Sequence, residues 1–194
     1  MPVLSSNNQN LLLAIARKVI SSVILSEAKN LESGSFASLR MTVGNDPELL
    51  QKSGCFVTLY TKPKTLRGCI GTFESDEPLF RAVMKTAVSA AFKDPRFPPL
   101  VAGELDRIRI EISVLGKLQK MNSIADLKIG KHGILIQLKN KSGTYLPEVA
   151  EEQGWTSEEF VHHCAVEKAG LKPEELVVAE LYLYEVEKIE EKEI

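Results

Sequence analysis

Apolar residues recur at every fourth position near the start of the chain, at Leu11, Ile15, Val19 and Val23, with Leu12, Ile20 and Ile24 beside them. That stripe predicts an amphipathic helix capped by the polar run from Ser5 to Asn10. From Ser26 to Asn45 the periodicity is lost in a Ser- and Gly-rich stretch, which reads as a loop. Asp46-Pro47 then has the form of an N-cap followed by proline, opening a short helix over Glu48 to Lys52. Gly54 to Thr61 alternates, with Cys55, Val57 and Leu59 on one face and Phe56, Thr58 and Tyr60 on the other, as a strand does. A turn at Lys62-Pro63-Lys64 and a returning strand from Leu66 to Phe73 complete a hairpin. Asp76-Glu77-Pro78 should cap the next helix, whose inward stripe, Leu79, Ala82, Val83, Thr86, Ala87, Ala90 and Ala91, is made mostly of small residues.

Asp94-Pro95-Arg96-Phe97-Pro98-Pro99 carries three prolines in five positions, which predicts a stiff, extended segment. Ile108, Ile110, Ile112 and Val114 alternate with Arg107, Arg109, Glu111 and Ser113, predicting a half-buried strand with charge on its second face. Ile134, Ile136 and Leu138 repeat the alternation ahead of a turn at Asn140 to Gly143. Pro147 to Gln153 reads as a short helix, Thr156 and Glu159 as the capping box of another ending at Gly170, and Val177 to Val186 as a last strand. This order lacks regular βαβ alternation and points to an α+β fold with a mainly antiparallel sheet flanked by helices.

Composition narrows the function classes. The 194 residues hold 24 Lys and Arg against 26 Asp and Glu, a net charge of −2, so no broad polyanion-binding surface is expected: nucleic acid is disfavoured as a partner. The balance is uneven, however. Residues 147–194 carry 4 basic against 14 acidic side chains, leaving 20 against 12 in residues 1–146. The body is moderately basic, which leaves room for a local anion site, and residues 188–194 are expected to form an acidic tail. Three cysteines at wide spacing, Cys55, Cys69 and Cys164, suggest neither a disulfide framework nor a zinc knuckle. The polar N-terminus and the lack of any apolar run near the roughly 18 residues of a membrane span complete the expectation of a cytoplasmic protein.

The segment Leu66-Arg67-Gly68-Cys69-Ile70-Gly71-Thr72 stands out, because two glycines weaken a strand and imply close approach to its backbone. Regular alternation would put Arg67, Cys69 and Gly71 on one face. Arg67 beside Cys69 would favour the thiolate, so Cys69 is expected to alkylate fastest of the three thiols and to titrate below the usual value of about 8.5. Equally, Cys69 reads as a small packed hydrophobe, with the glycines marking a bulge or a tight contact with the alanine-rich helix. His132, between Gly130 and Gly133, is a candidate base for Cys69 with Glu111 as its orienting carboxylate, or a turn histidine beside a structural ion pair. Asp94 and Arg96 read either as a ligand fork, joined by Arg109, or as an Asx-turn. His162-His163-Cys164 cannot all ligate one ion from consecutive helix positions, so no metal site is expected there, and the sequence assigns no cofactor.

The runs LRGCIGT, AAFKDPRFPPL, IEISVL, IGKHGI and LPEVAEEQGW resemble the AMMECR domain family, named for a chromosomal region linked to Alport syndrome, midface hypoplasia and elliptocytosis. Its prokaryotic members are called AmmeMemoRadiSam system protein A. The resemblance extends from about Leu11 to Tyr184 and departs from the family pattern between Val23 and Asn45 and near Leu176, where a tryptophan is usual. It implies one AMMECR-type domain over residues 1–194, α+β with two unequal subdomains. It also implies a radical-SAM protein and a Memo-type protein as partners, but no established reaction. The family's hallmark falls on Leu66, Arg67, Gly68, Cys69, Ile70 and Gly71, with Asp94, Pro95, Arg96 and Phe97 as a second block and Glu111 and His132-Gly133 in others. Two readings follow. One is an enzyme or enzyme subunit acting on a small anionic molecule, with Cys69, His132 and Glu111 catalytic and Arg67, Gly68, Gly71, Asp94, Arg96 and Arg109 binding. The other is a non-catalytic adaptor that docks a ligand or partner on the same face.

Overall fold

A computed structural model describes residues 4–25, 43–61 and 65–192. The chain divides into two compact units, Pro2–Val114 with Glu187–Ile194, and Leu115–Val186.

In the first unit the four-residue stripe becomes helix α1, Ser6–Leu25, burying Leu12, Ile15, Ala16, Val19 and Ile20. Ser5 Oγ accepts from Asn8 N–H at its start. Asp46 caps the short α2, Pro47–Leu50, by accepting from Glu48 N–H at 2.9 Å. Most of the loop expected over 26–45, and the turn at 62–64, lie outside the described residues. The hairpin strands are β1, Cys55–Thr61, and β2, Thr65–Thr72; with β3, Ile108–Leu115, and β8, Val186–Glu190, they form a sheet in the order β2-β1-β3-β8. β1 is antiparallel to both β2 and β3. Helix α3, Leu79–Phe92, lies against α1 and against β1 and β2, and every member of its predicted stripe is buried.

The cap of α3 differs from expectation. Asp76 stands too far from the first helical residue; Pro78 holds the N-cap position without a side-chain bond, and Leu79 N–H instead donates to Gln51 O at 2.9 Å. The second face of β3 also differs: Glu111 and Ser113 are buried rather than turned to solvent. Asp94 to Phe97 is not extended. It is a tight turn closed by Phe97 N–H donating to Asp94 O at 3.1 Å, with Pro95 at its second position and Pro98 and Pro99 following it.

The second unit has its own sheet, ordered β4-β7-β5-β6, from β4 Gln119–Lys120, β5 Gly133–Leu138, β6 Lys141–Tyr145 and β7 Glu180–Tyr184. The β5–β6 turn is tighter than expected, only Lys139 and Asn140, with Lys139 at φ +55°. Helix α4, Pro147–Gln153, follows its predicted span; α5, Ser157–His163, begins where expected, and Thr156 and Glu159 form its reciprocal capping box. α5 runs into one π-helical turn, Cys164–Lys168, so the regular helix stops short of Gly170. Phe160, Cys164, Ala165, Ile134 and Ile136 centre a separate core.

The single last strand expected over Val177 to Val186 is two. Val177 and Val178 end a 3-10 turn, β7 closes the second sheet, and β8 returns to the first, where Ile189 is buried. The acidic segment from residue 188 therefore begins as strand. Glu191 anchors it, accepting from Arg17 Nε at 2.6 Å and Ile110 N–H at 2.9 Å. Two sheets with flanking helices make the fold α+β.

Candidate functional site

β2 is an edge strand, and its outer side is closed by side chains. Cys69 N–H donates to Asp94 Oδ2 at 2.8 Å, and Arg96 Nη2 donates to Cys69 O at 3.1 Å. Asp94 also accepts from Arg96 Nε at 2.9 Å, Nη2 at 2.7 Å and the backbone N–H at 3.1 Å. Asx-turn and guanidinium fork are thus one structure, in which the fork grips Asp94. Together the two side chains make the bonds that a neighbouring strand would make, which blunts the sheet edge. The guanidinium bonds and those from Cys69 and Arg96 N–H hold the buried Asp94 carboxyl well below the usual carboxylate range.

The two glycines are explained by close neighbours. A Cβ on Gly68 would lie 2.2 Å from Ala90 O of α3, and one on Gly71 would lie 2.2 Å from the Phe56 ring. The small-residue stripe and Gly68 therefore form one close helix–strand contact.

The register sets Thr58 opposite both Cys69 and Glu111, so thiol, hydroxyl and carboxylate form a row across three strands on the face turned from the core. Thr58 Oγ1 donates to Cys69 Sγ at 3.3 Å. Lys188 Nζ of β8 lies 3.6 Å from Glu111 Oε1. Burial pushes the Cys69 thiol up; the Thr58 hydroxyl and the Arg96 charge pull it back in part, while Asp94 and Glu111 add to the rise. This reverses the expectation of an activated thiol. Arg67 does not serve Cys69, because β1 and β2 slip register between Leu59 and Tyr60, leaving Arg67 as the extra residue of a bulge. Its Nε and Nη2 bond Glu104 at 2.7 and 3.0 Å. Cys69 is still the half-exposed thiol: Cys55 and Cys164 are fully buried and pushed up to about 11 and about 12.

The remaining candidates separate. Arg109 pairs with Glu190 at 3.2 Å, so each arginine proposed for an anion faces a carboxylate of its own. His132 belongs to the second unit, where Nδ1 accepts from Lys128 N–H at 3.2 Å, whereas Cys69 and Glu111 belong to the first. His163 stacks on Trp155 at 4.1 Å and bonds Glu167 at 2.6 Å. Among the described residues no three His, Cys, Asp or Glu converge as a metal site, and no helix is long and apolar enough to cross a membrane. Thr58, Glu104, Ser113 and Lys188 escaped the sequence reading. Thr58 had a signal, being a polar centre on a strand whose hairpin partner carries Cys69.

The AMMECR1 family model matches residues 13–189. Protein MJ0810 of Methanocaldococcus jannaschii is 40% identical over 167 residues, 81% of this chain and 83% of that protein. Protein MK0488 of Methanopyrus kandleri is 41% identical over 155 residues, covering 75% of this chain and 74% of its own. The crystal structure of the uncharacterized protein PH0010 from Pyrococcus horikoshii superposes with a TM-score of 0.83 at 31% identity, covering 97% of this chain and 94% of that one. Motif, sequence and fold agree over nearly the whole chain, which belongs to the AMMECR1 family.

Proposed function

We infer that the protein is a cytoplasmic binding module, the recognition subunit of a multiprotein enzyme system, and that the row Cys69–Thr58–Glu111 beside the LRGCIG strand is its binding face. The observation that carries this reading is the state of Cys69. Its backbone N–H and carbonyl are clamped along the open strand edge by Asp94 and Arg96, and its thiol accepts from Thr58 and is pushed up by burial. Such a group is held for contact, and it lacks the lowered pKa of a nucleophile. The matched arginines argue against a strongly anionic ligand. The radical-SAM and Memo-type proteins implied by the family resemblance are the partners this reading assigns to turnover. Three free thiols support a reducing compartment.

Covalent chemistry at Cys69 is the second reading, favoured by its standing half-exposed while the other two thiols are buried. The test is to incubate the wild type, Cys69→Ser and Glu111→Gln with cell extract and identify retained molecules by mass spectrometry. Circular dichroism confirms that each variant is folded. The binding module predicts the same molecule on wild type and Cys69→Ser, less of it on Glu111→Gln, and no mass added to Cys69. An adduct on Cys69 that Cys69→Ser lacks overturns it in favour of the covalent enzyme.

A further inference from the structure

Ser113 gives the row a chemical preference. The residue is 1% exposed, and its Oγ is buried without a hydrogen-bond partner. Protein interiors leave few polar atoms in that state, so each asks for an occupant. Ser113 lies two positions beyond Glu111 on β3, on the same face, and its cross-strand neighbour is Phe56. Phe56 also stands opposite Gly71. Its ring is laid over Gly71 and meets Phe73 edge-on at 5.4 Å, so it leans away from Ser113 and offers the hydroxyl nothing polar.

The neighbouring groups have defined roles. Thr58 uses its proton on Cys69 Sγ, so toward a ligand it accepts. Glu111 accepts too, with Lys188 beside its charge. Around the motif the charges of Arg67, Arg96 and Arg109 are matched by Glu104, Asp94 and Glu190, although Arg67 Nη1 is itself buried without a hydrogen-bond partner. An anion would approach Glu111 with those three charges already answered, whereas an uncharged group bearing both a donor and an acceptor meets complementary partners.

Resting on the reading of this row as a binding site, we propose that its ligand is a small uncharged molecule of the carboxamide class. Its carbonyl oxygen accepts from Ser113 Oγ and its N–H donates to Glu111 or Thr58.

The test uses the full chain, acetamide as the probe, and acetate and inorganic phosphate as its charged counterparts, read by saturation-transfer NMR at neutral pH. Ser113→Ala is compared in parallel, with its thermal midpoint. Acetamide should give the strongest transfer of the three to the wild type and several-fold less to Ser113→Ala, and the variant should melt at or above the wild-type temperature, since it sheds an unmatched hydroxyl. A clearly lower melting temperature shows the hydroxyl already bonded within the protein and overturns the proposal. Stronger transfer to acetate or phosphate, lost in Thr58→Val, overturns the uncharged class while leaving the row as the binding site. Transfer to none of the three, or transfer unaffected by Ser113→Ala and Thr58→Val alike, overturns the proposal; whether the binding reading falls with it is decided by the extract experiment.

Discussion

Replacing Asp94 by alanine removes the acceptor of four hydrogen bonds: from Cys69 N–H and from Arg96 N–H, Nε and Nη2. The carboxylate is 2% exposed, so little solvent screens it. Two of the bonds come from a guanidinium, and hydrogen bonds to charged groups contribute about 1.5–3 kcal/mol each, less than additively when they share one acceptor. The variant leaves Cys69 N–H and part of Arg96 unmatched, so a loss of about 2–4 kcal/mol is expected. For a chain of this length that lowers the melting temperature by roughly 5–15 °C. The pH dependence has a fixed sign. Asp94 has a folded pKa below its unfolded value of about 3.9, so its contribution is complete above that value and is lost as pH falls through the acid range. The wild-type advantage over Asp94→Ala, measured by urea unfolding between pH 7 and pH 2, should therefore be constant down to about pH 5 and shrink below it. Melting within 2 °C of wild type, or an advantage that grows on acidification, refutes the latch.

Other consequences are simpler to state. Gly68→Ala drives a Cβ to 2.2 Å from Ala90 O, a backbone atom that cannot swing aside, so it should destabilise by about 2 kcal/mol or more, read as a lower urea midpoint. Thr156→Ala removes the capping box of α5 and should cost about 1 kcal/mol, a fall of roughly 2–4 °C in melting temperature. Arg67→Ala leaves Glu104 without its partner but should not move the pH midpoint of Cys69 alkylation, because Arg67 points to Glu104 at 2.7 Å; a clear rise in that midpoint would restore Arg67 as the thiol's activator.

Local pattern made much of the fold legible. The four-residue stripe of α1, the alternation of β1 and β5, the Asp46-Pro47 start and the Thr156–Glu159 box are short-range features, and each stands where its residues place it. The motif was legible as a place of close approach, but not what approaches: Ala90 O is brought there only by the packing of α3. Arg67 departs from the face that regular alternation predicts for a definable reason. A regular hairpin register continuing from Thr61 opposite Thr65 would set Thr58 opposite Gly68; the bulge advances it to Cys69, and a slip of one residue changes which side chains meet. Charge on the second face of β3 points to a face turned to solvent, whereas Glu111 is buried there and β8 brings Lys188 beside it. Asp94-Pro95 held a turn signal, aspartate followed by proline, that the count of prolines obscured. The division of the last strand lies beyond local pattern: β7 reads Glu-Leu-Tyr-Leu-Tyr, β8 reads Val-Glu-Lys-Ile-Glu with no regular alternation, and only tertiary pairing assigns them to different sheets.

The pH profile of Cys69 alkylation tests most directly whether the motif thiol is held rather than activated. Iodoacetamide labelling of the native protein, followed by peptide mass spectrometry from pH 6 to pH 11, gives the midpoint for each cysteine. The account predicts that Cys69 labels ahead of the buried Cys55 and Cys164, with a midpoint above the ordinary thiol range of about 8.5–9. A midpoint below about 8, with rapid labelling at neutral pH, would contradict it and mark Cys69 as an activated nucleophile.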